Sequence, residues 1–467
     1  MSSQSRRLLG ATLATVFVAS AVAAFAGPRP PLSTAVRSVD REEVRRLIKQ
    51  GVDVNAPEGD GSTALHWASY RDDGEISDQL LRAGAKVNTA NDLGATPLWA
   101  ASQNGSEAMV RRLLQAGADP HLALQSGETP LMVASRVGSA PVVSQLLARG
   151  AKVNVSATRG QTALMWAVAQ KHPAVVKLLI DGGADIHARS SVWSQVMAVS
   201  PHGMLQYNKN VPHGGDTAMM FAARVGDLAS AKLLVAAGAK PNDADAGGIS
   251  ATALAAHSEF TELVEFLLDE GADPNIGEAG FTALHAAVMR RDERMVTALL
   301  AHKADPNAPV RSWTPTRRSS RDWNFNPELV GATPYWLAAR VIAPGIMRLL
   351  VQHGANPRVV HHADYHGGDP VEERSQTTTP LMAAVGMGGG AAWVQPEPNE
   401  REALTFEAVR LAVEHGADLN VANVDGRTAL DAARALKFKS VVAFLSEKGA
   451  MPGTPTGRRS GIAKNHE

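Results

Sequence analysis

No cysteine occurs among the 467 residues. That absence excludes disulfides, cysteine-ligated metal, a thiol nucleophile and a lipid-modified cysteine anchor. An excess of one charge is missing too, because 46 Lys and Arg face 46 Asp and Glu. Bulk charge therefore predicts neither a nucleic-acid nor a membrane partner. Catalytic signatures are absent as well: there is no Gly-x-Ser-x-Gly elbow, no P-loop and no His-Glu-x-x-His. The run Gly388-Gly389-Gly390 has no Lys-Ser/Thr after it, so it does not support phosphate binding. No readable spacing pairs a nucleophile with a base. The expectation is a non-catalytic protein without a cofactor.

What the chain does contain is a repeat. Gly94-Ala95-Thr96-Pro97-Leu98-Trp99-Ala100-Ala101 returns 33 residues later as Gly127-Glu128-Thr129-Pro130-Leu131-Met132-Val133-Ala134, and again as Gly160-Gln161-Thr162-Ala163-Leu164-Met165-Trp166-Ala167. Units close on turns such as Gly84-Ala85-Lys86-Val87-Asn88 and Gly271-Ala272-Asp273-Pro274-Asn275. Openings fall near 61, 94, 127, 160, 215, 248, 280, 331, 377 and 426, after a degenerate unit from about Pro30 to Asp60. In each unit Thr can cap a helix start, and Pro lacks the N–H that the first turn would orphan. Alanine pairs such as Ala222-Ala223 let helices approach. Val142-Val143 with Leu146-Leu147 gives a second helix its apolar face. One such helix pair cannot bury that face alone, but stacked neighbours can.

At this period, with Thr-Pro-Leu-x-x-Ala openings, the sequence resembles the ankyrin repeat. The resemblance implies an all-α solenoid of about eleven helix-turn-helix units over residues 30–450, with one continuous core. It also implies inter-repeat β-hairpin loops and three extended hairpin insertions. The insertions are read at about 188–214, 308–330 and 361–377, where the period is broken after the Gly-Ala turn. Insertions at one point of the unit project from one face. A fourth, 386–402, separates the two helices of its unit, and its glycines and Pro396-Glu397-Pro398 predict a flexible loop.

The ends carry their own signals. Arg6-Arg7, the uncharged stretch Leu8 to Ala26 and the Ala24-Phe25-Ala26 site predict a signal peptide over residues 1–26. An uncleaved anchor and a twin-arginine signal are weaker readings of the same residues. The localisation expected is periplasmic, with an extracellular alternative and no stable membrane insertion after cleavage. Residues 451–467 are expected to be a disordered tail.

Candidate site residues come from two places. The resemblance implies binding at the hairpin tips and at the exposed end of each first helix. Here that row holds Tyr70, Arg71, Gln103, Asn104, Arg136, Gln170, Arg224, His257, Arg290 and Arg340, with five arginines and no carboxylate. Arginine grips carboxylates bidentately, so an acidic protein partner is expected. Trp193, Trp313, Trp323 and Trp393 lie in insertions, where aromatics are recognition candidates or cover their own loop. Arg311, Arg317, Arg318 and Arg321 interleave with Trp313 and Trp323. His361, His362, Asp364, His366 and Asp369 are the densest set of metal-ligand types, though no helical period arranges them. In the family, histidines placed as His66 and His285 are bond within the turn, and the next position (Trp67, Val133, Trp166, Phe221, Leu254, Leu337) faces the neighbouring repeat.

The function these readings predict is a monomeric protein-interaction scaffold. Its concave groove and hairpin fingers would meet an exported or membrane protein. A secreted effector acting on host proteins is one alternative. A metal-dependent enzyme with its site at 361–369 is another.

Overall fold

A computed structural model describes residues 29–197, 209–314, 325–367, 372–390 and 392–454. The signal-peptide reading of residues 1–26, Trp323, Asp369 and the tail beyond 454 lie outside the described residues. The helices group into two compact units, Met1–Lys152 and Val153–Glu467.

In the first unit the helices come in pairs: Pro31–Arg37 with Arg41–Lys49, Ala64–Tyr70 with Gly74–Arg82, Pro97–Gln103 with Glu107–Gln115, and Pro130–Val137 with Ala140–Ala148. Helices this short are marginal alone in water. Packing sustains them: each first helix lies on its own second helix, and the successive first helices within this unit lie on one another. Leu65, Ile76, Leu80, Leu98, Met109 and Leu113 are at most 1% exposed. The helix starts are capped as the Thr positions predict: Thr96 Oγ1 accepts from Trp99 N at 3.2 Å and Thr129 Oγ1 from Met132 N at 3.3 Å.

Two further features recur with the period. Between the helices of successive pairs one residue turns left-handed, at Val39, Asp72, Gly105 and Gly138, with φ of 56°, 56°, 64° and 81°. At the closing turn an asparagine ties its unit to the next. Asn55 Nδ2 donates to Gly84 O at 3.2 Å while its Oδ1 accepts from Lys86 N at 2.7 Å. Asn88 repeats the clasp on Gly117 O and Asp119 N.

The second unit carries the same helix pairs from Ala163–Ala169 to Lys439–Glu447, with the clasp at Asn154, Asn242, Asn275 and Asn307. It also holds strands. β1 (Trp193–Met197) pairs antiparallel with β2 (Lys209–His213), Trp193 opposite His213. β3 (His361–Gly367) pairs antiparallel with β4 (Glu372–Thr378), His361 opposite Thr378. In the segment after Ala308, Val310 N donates to Ala332 O and Thr314 N to Phe325 O, ahead of a 3-10 turn at Pro327–Leu329. Trp336, Tyr335, Phe281 and Phe325 are fully buried in this unit.

The loop after helix Pro380–Ala384 departs from its sequence reading. Its glycines permit close approach rather than freedom. A Cβ on Gly389 would meet the Glu328 side chain at 2.5 Å, and one on Gly390 would meet Leu329 at 2.5 Å. Gly389 N donates to Gln376 Oε1 at 2.7 Å. The segment is therefore pinned to the fold on one side, where composition alone suggested a free loop.

Candidate interaction site

The first-helix ends of the first unit form a mixed aromatic and polar row. Tyr70 ends helix Ala64–Tyr70, is 38% exposed, and meets Trp67 edge to face at 6.1 Å between centroids. The Arg37 guanidinium lies 3.9 Å from the Trp67 ring centroid and also bonds Glu58 at 3.3 Å. Arg37 belongs to the degenerate first unit and was missed in the sequence. Its matching phase, 33 residues before Tyr70, was the available signal. Arg71 is exposed and Gln103 half-buried. Asn104 donates to Tyr70 O at 2.6 Å, so adjacent helix ends are joined by hydrogen bonds.

The arginine row is less open than its sequence implies. Arg136 contacts Glu128 at 2.8 Å, and Arg224 contacts Asp216 at 2.9 Å. In both cases the acid stands eight positions earlier, at the turn that opens the unit. A row read at one position per repeat contains no carboxylate, yet the fold brings one in from the preceding turn. Burial pushes the Glu128 carboxyl above the usual range, against the opposing pull of Arg136. Arg290 donates to His257 O at 2.8 Å and pairs with Glu259 at 3.0 Å. Arg340 donates to Gly390 O at 2.8 Å, and burial, followed by the like charge of Arg401, lowers its pKa. His257 is only 5% exposed. His257 and Arg340 are therefore covered helix ends, not open ones, because the 386–400 loop lies over them.

The insertion aromatics sit against the fold. The half-buried Trp193 stacks on His213 at 4.5 Å, with the Arg159 guanidinium 5.2 Å from its centroid. Trp313 is half-buried near the start of its insertion. Trp393 is half-buried away from its own helix pair, against His257, Arg290 and Phe325.

Strand alternation splits the histidine-rich cluster. His361 is 1% exposed and packs 4.3 Å from Trp336, with Nε2 on Val330 O at 3.0 Å. His362, Asp364 and His366 point to the other, exposed face, where His362 contacts Thr377 and Asp364 accepts from Ser375. Successive side chains on a strand face opposite ways, so His361 is removed from the set. Among the described residues, no three His, Asp or Glu side chains gather as a metal site.

His66 and His285 are internal caps. Thr63 N donates to His66 Nδ1 at 3.0 Å, which leaves the proton on Nε2 to donate to Ala95 O at 2.9 Å. His285 repeats this with Thr282 N and Ala308 O. Each ring thus closes its own turn and bonds the turn that follows.

A family model for ankyrin repeats, in three copies, matches residues 32–124, 116–190 and 219–310. The chain belongs to the ankyrin repeat family. Among curated proteins this ankyrin repeat chain is similar to one from Danio rerio named as a palmitoyltransferase, ZDHHC13. The two are 30% identical over 246 residues, which is 48% of this chain and 33% of that protein. It is also similar to ankyrin repeat protein L92 of Acanthamoeba polyphaga mimivirus, 50% identical over 50 residues, 10% of this chain and 12% of that one. The chain therefore spans a third or less of these relatives' lengths. Among solved structures, the human ASB11 ankyrin repeat domain is similar at 28% identity and a TM-score of 0.43, covering 53% of this chain and all of that one. Ankyrin repeats are in general protein–protein interaction modules. No helix among the described residues is long and apolar enough to cross a membrane.

Proposed function

We propose that this chain is a non-catalytic scaffold that binds a protein partner through the first-helix ends and the hairpins of its repeats. The observation that carries this reading is the family membership over more than half of the chain, joined to a periodic row of helix ends that present Tyr70, Arg71, Gln103 and Arg136. The mechanism is rigid display. Clasps and caps hold the row before the partner arrives, so little conformational entropy is lost on binding. The hairpins β1–β2 and β3–β4 and the 308–330 segment are the fingers of this scaffold. Arg136 and Arg224 are already engaged by carboxylates, so an acidic partner would meet a charge-paired row. Its acidity would then set orientation and rate more than affinity. The scaffold works as a monomer.

A crosslinking pull-down tests the reading, run beside a chain whose segments 188–214, 308–330 and 361–377 are cut back to the plain period. A specific partner lost on trimming places recognition in the fingers, and a partner kept on trimming places it in the helix-end row. Absence of any partner overturns the scaffold. We also propose export to the periplasm through residues 1–26. N-terminal sequencing of the mature protein should then begin at Gly27, and an intact Met1 in the mature protein would refute it.

A further inference from the structure

The 386–400 loop lies over three consecutive first-helix ends of the second unit. His257, Arg290 and Arg340 are the last residues of helices Ala251–His257, Ala283–Arg290 and Pro334–Arg340. Arg340 holds the loop by its Gly390 carbonyl at 2.8 Å. Further along, the Trp393 ring meets His257 at 5.2 Å and Phe325 at 5.1 Å, both edge to face, with the Arg290 guanidinium 5.3 Å from its centroid. The slot is built rather than incidental. Phe325 is fully buried and packs on Phe281 at 4.8 Å, which makes a firm floor. Arg290 is fixed by His257 O and Glu259, so its planar group is already oriented for an aromatic ring. Pro396 is buried, while Glu397 and Glu400 are exposed.

We propose that this loop is a built-in occupant of the binding row, and that the external ligand of the row is a protein segment of the same chemistry: an indole followed three residues on by a proline. The proposal rests on the scaffold reading and names the partner class for the second unit. In the free protein Trp393 fills the slot, and a partner must displace it. A tethered segment competes at an effective concentration on the order of millimolar. Weak aromatic peptides are therefore excluded, and only a segment that engages the neighbouring helix ends as well gains entry.

The test uses the full chain and a synthetic peptide of residues 392–400, labelled for fluorescence anisotropy. The chain carrying Trp393→Ala should bind the peptide saturably, with a Kd below about 1 mM. The unaltered chain should bind it at least ~2-fold more weakly, since its slot is filled by a segment at an effective concentration on the order of millimolar. Adding Arg290→Ala to Trp393→Ala should abolish binding. A second opened chain, with residues 392–399 replaced by a Gly-Ser linker, keeps the experiment decisive should Trp393→Ala not fold. Equal binding by closed and opened chains, no saturation by about 2 mM with either opened chain, or indifference to Arg290→Ala overturns the strap. Those outcomes leave the scaffold reading untouched, because its own pull-down does not depend on the peptide.

Discussion

The side-chain amide of Asn275 closes a two-way bond with the turn of the next repeat, donating to Lys303 O at 3.0 Å and accepting from Asp305 N at 2.8 Å. An amide carries a donor and an acceptor side by side, so it matches an adjacent C=O and N–H as no carboxylate or hydroxyl can. Asn275→Asp keeps the shape and loses the donor, while Asn275→Ala loses both bonds. Each bond contributes about 1 kcal/mol. Asn275→Ala should lower unfolding free energy by roughly 1–3 kcal/mol, and Asn275→Asp by less. Urea denaturation of the two variants beside wild type measures this, and equal stability of all three would remove the clasp from the account.

His121 stands where Asn55 and Asn88 stand in the two preceding units, at the same 33-residue step. An imidazole has its donor and acceptor on diverging edges and cannot serve neighbouring N–H and C=O groups together. His121→Asn should therefore supply a missing clasp toward Gly150 and Lys152. The expected gain is about 1 kcal/mol, read as a higher melting temperature. A melting temperature that is unchanged or lower would show that the imidazole already fills the role.

Val39 and Ile342 both adopt left-handed backbone, at φ of 56° and 55°. A β-branched residue there costs roughly 1–2 kcal/mol. Val39 is 41% exposed, so Val39→Gly relieves strain and loses little packing, with a net gain of roughly 0.5–1 kcal/mol. Ile342 is 5% exposed, and emptying its site costs about 2–4 kcal/mol, more than the relief. The two glycine variants should move chemical stability in opposite directions.

Burial, and then the Arg290 charge, lower the His257 pKa to about 3. Burial lowers that of His285 to about 4, against the pull of its bond to Ala308 and of Asp305. As pH falls below about 6.5 the unfolded chain takes up protons that the folded chain refuses. The stability these histidines support is therefore complete above pH ~6.5 and lost progressively toward pH 4 and 3. Between pH 7 and 4.5 each should contribute a loss on the order of 2–3 kcal/mol. Urea titrations at both pH values should show a shallower pH slope for His257→Gln and His285→Gln than for wild type. Parallel slopes would mean that other groups govern acid sensitivity.

Much of the local structure was legible in the sequence, because it depends on residues a few positions apart. Thr96 and Thr129 cap the helices they precede, and His66 bonds back to Thr63 within its own turn. These are contacts across three residues, and the period repeats the capping threonine at Thr162, Thr333 and Thr379 as well. The role of Asn55 as a clasp was half visible: its place in the closing turn is periodic, but its partners lie 29 and 31 residues away. The candidate site was less legible. The arginine row gave positions without partners, and Glu128 and Asp216 belong to a different phase of the repeat. Strand alternation separated His361 from His362, which the linear cluster His361-His362 could not foretell.

The sequence alone determined the period, the caps and the apolar faces, and with them an ankyrin repeat chain, because each is a short-range pattern restated at a fixed step. Tertiary structure alone decided which helix ends stay open. Arg71 is exposed while His257 and Arg340 are covered, because Gly389 and Gly390 let a loop approach Glu328 and Leu329 more closely than any Cβ permits. That approach carries Trp393 to His257, 136 residues away in the chain, where no periodic signal could announce it.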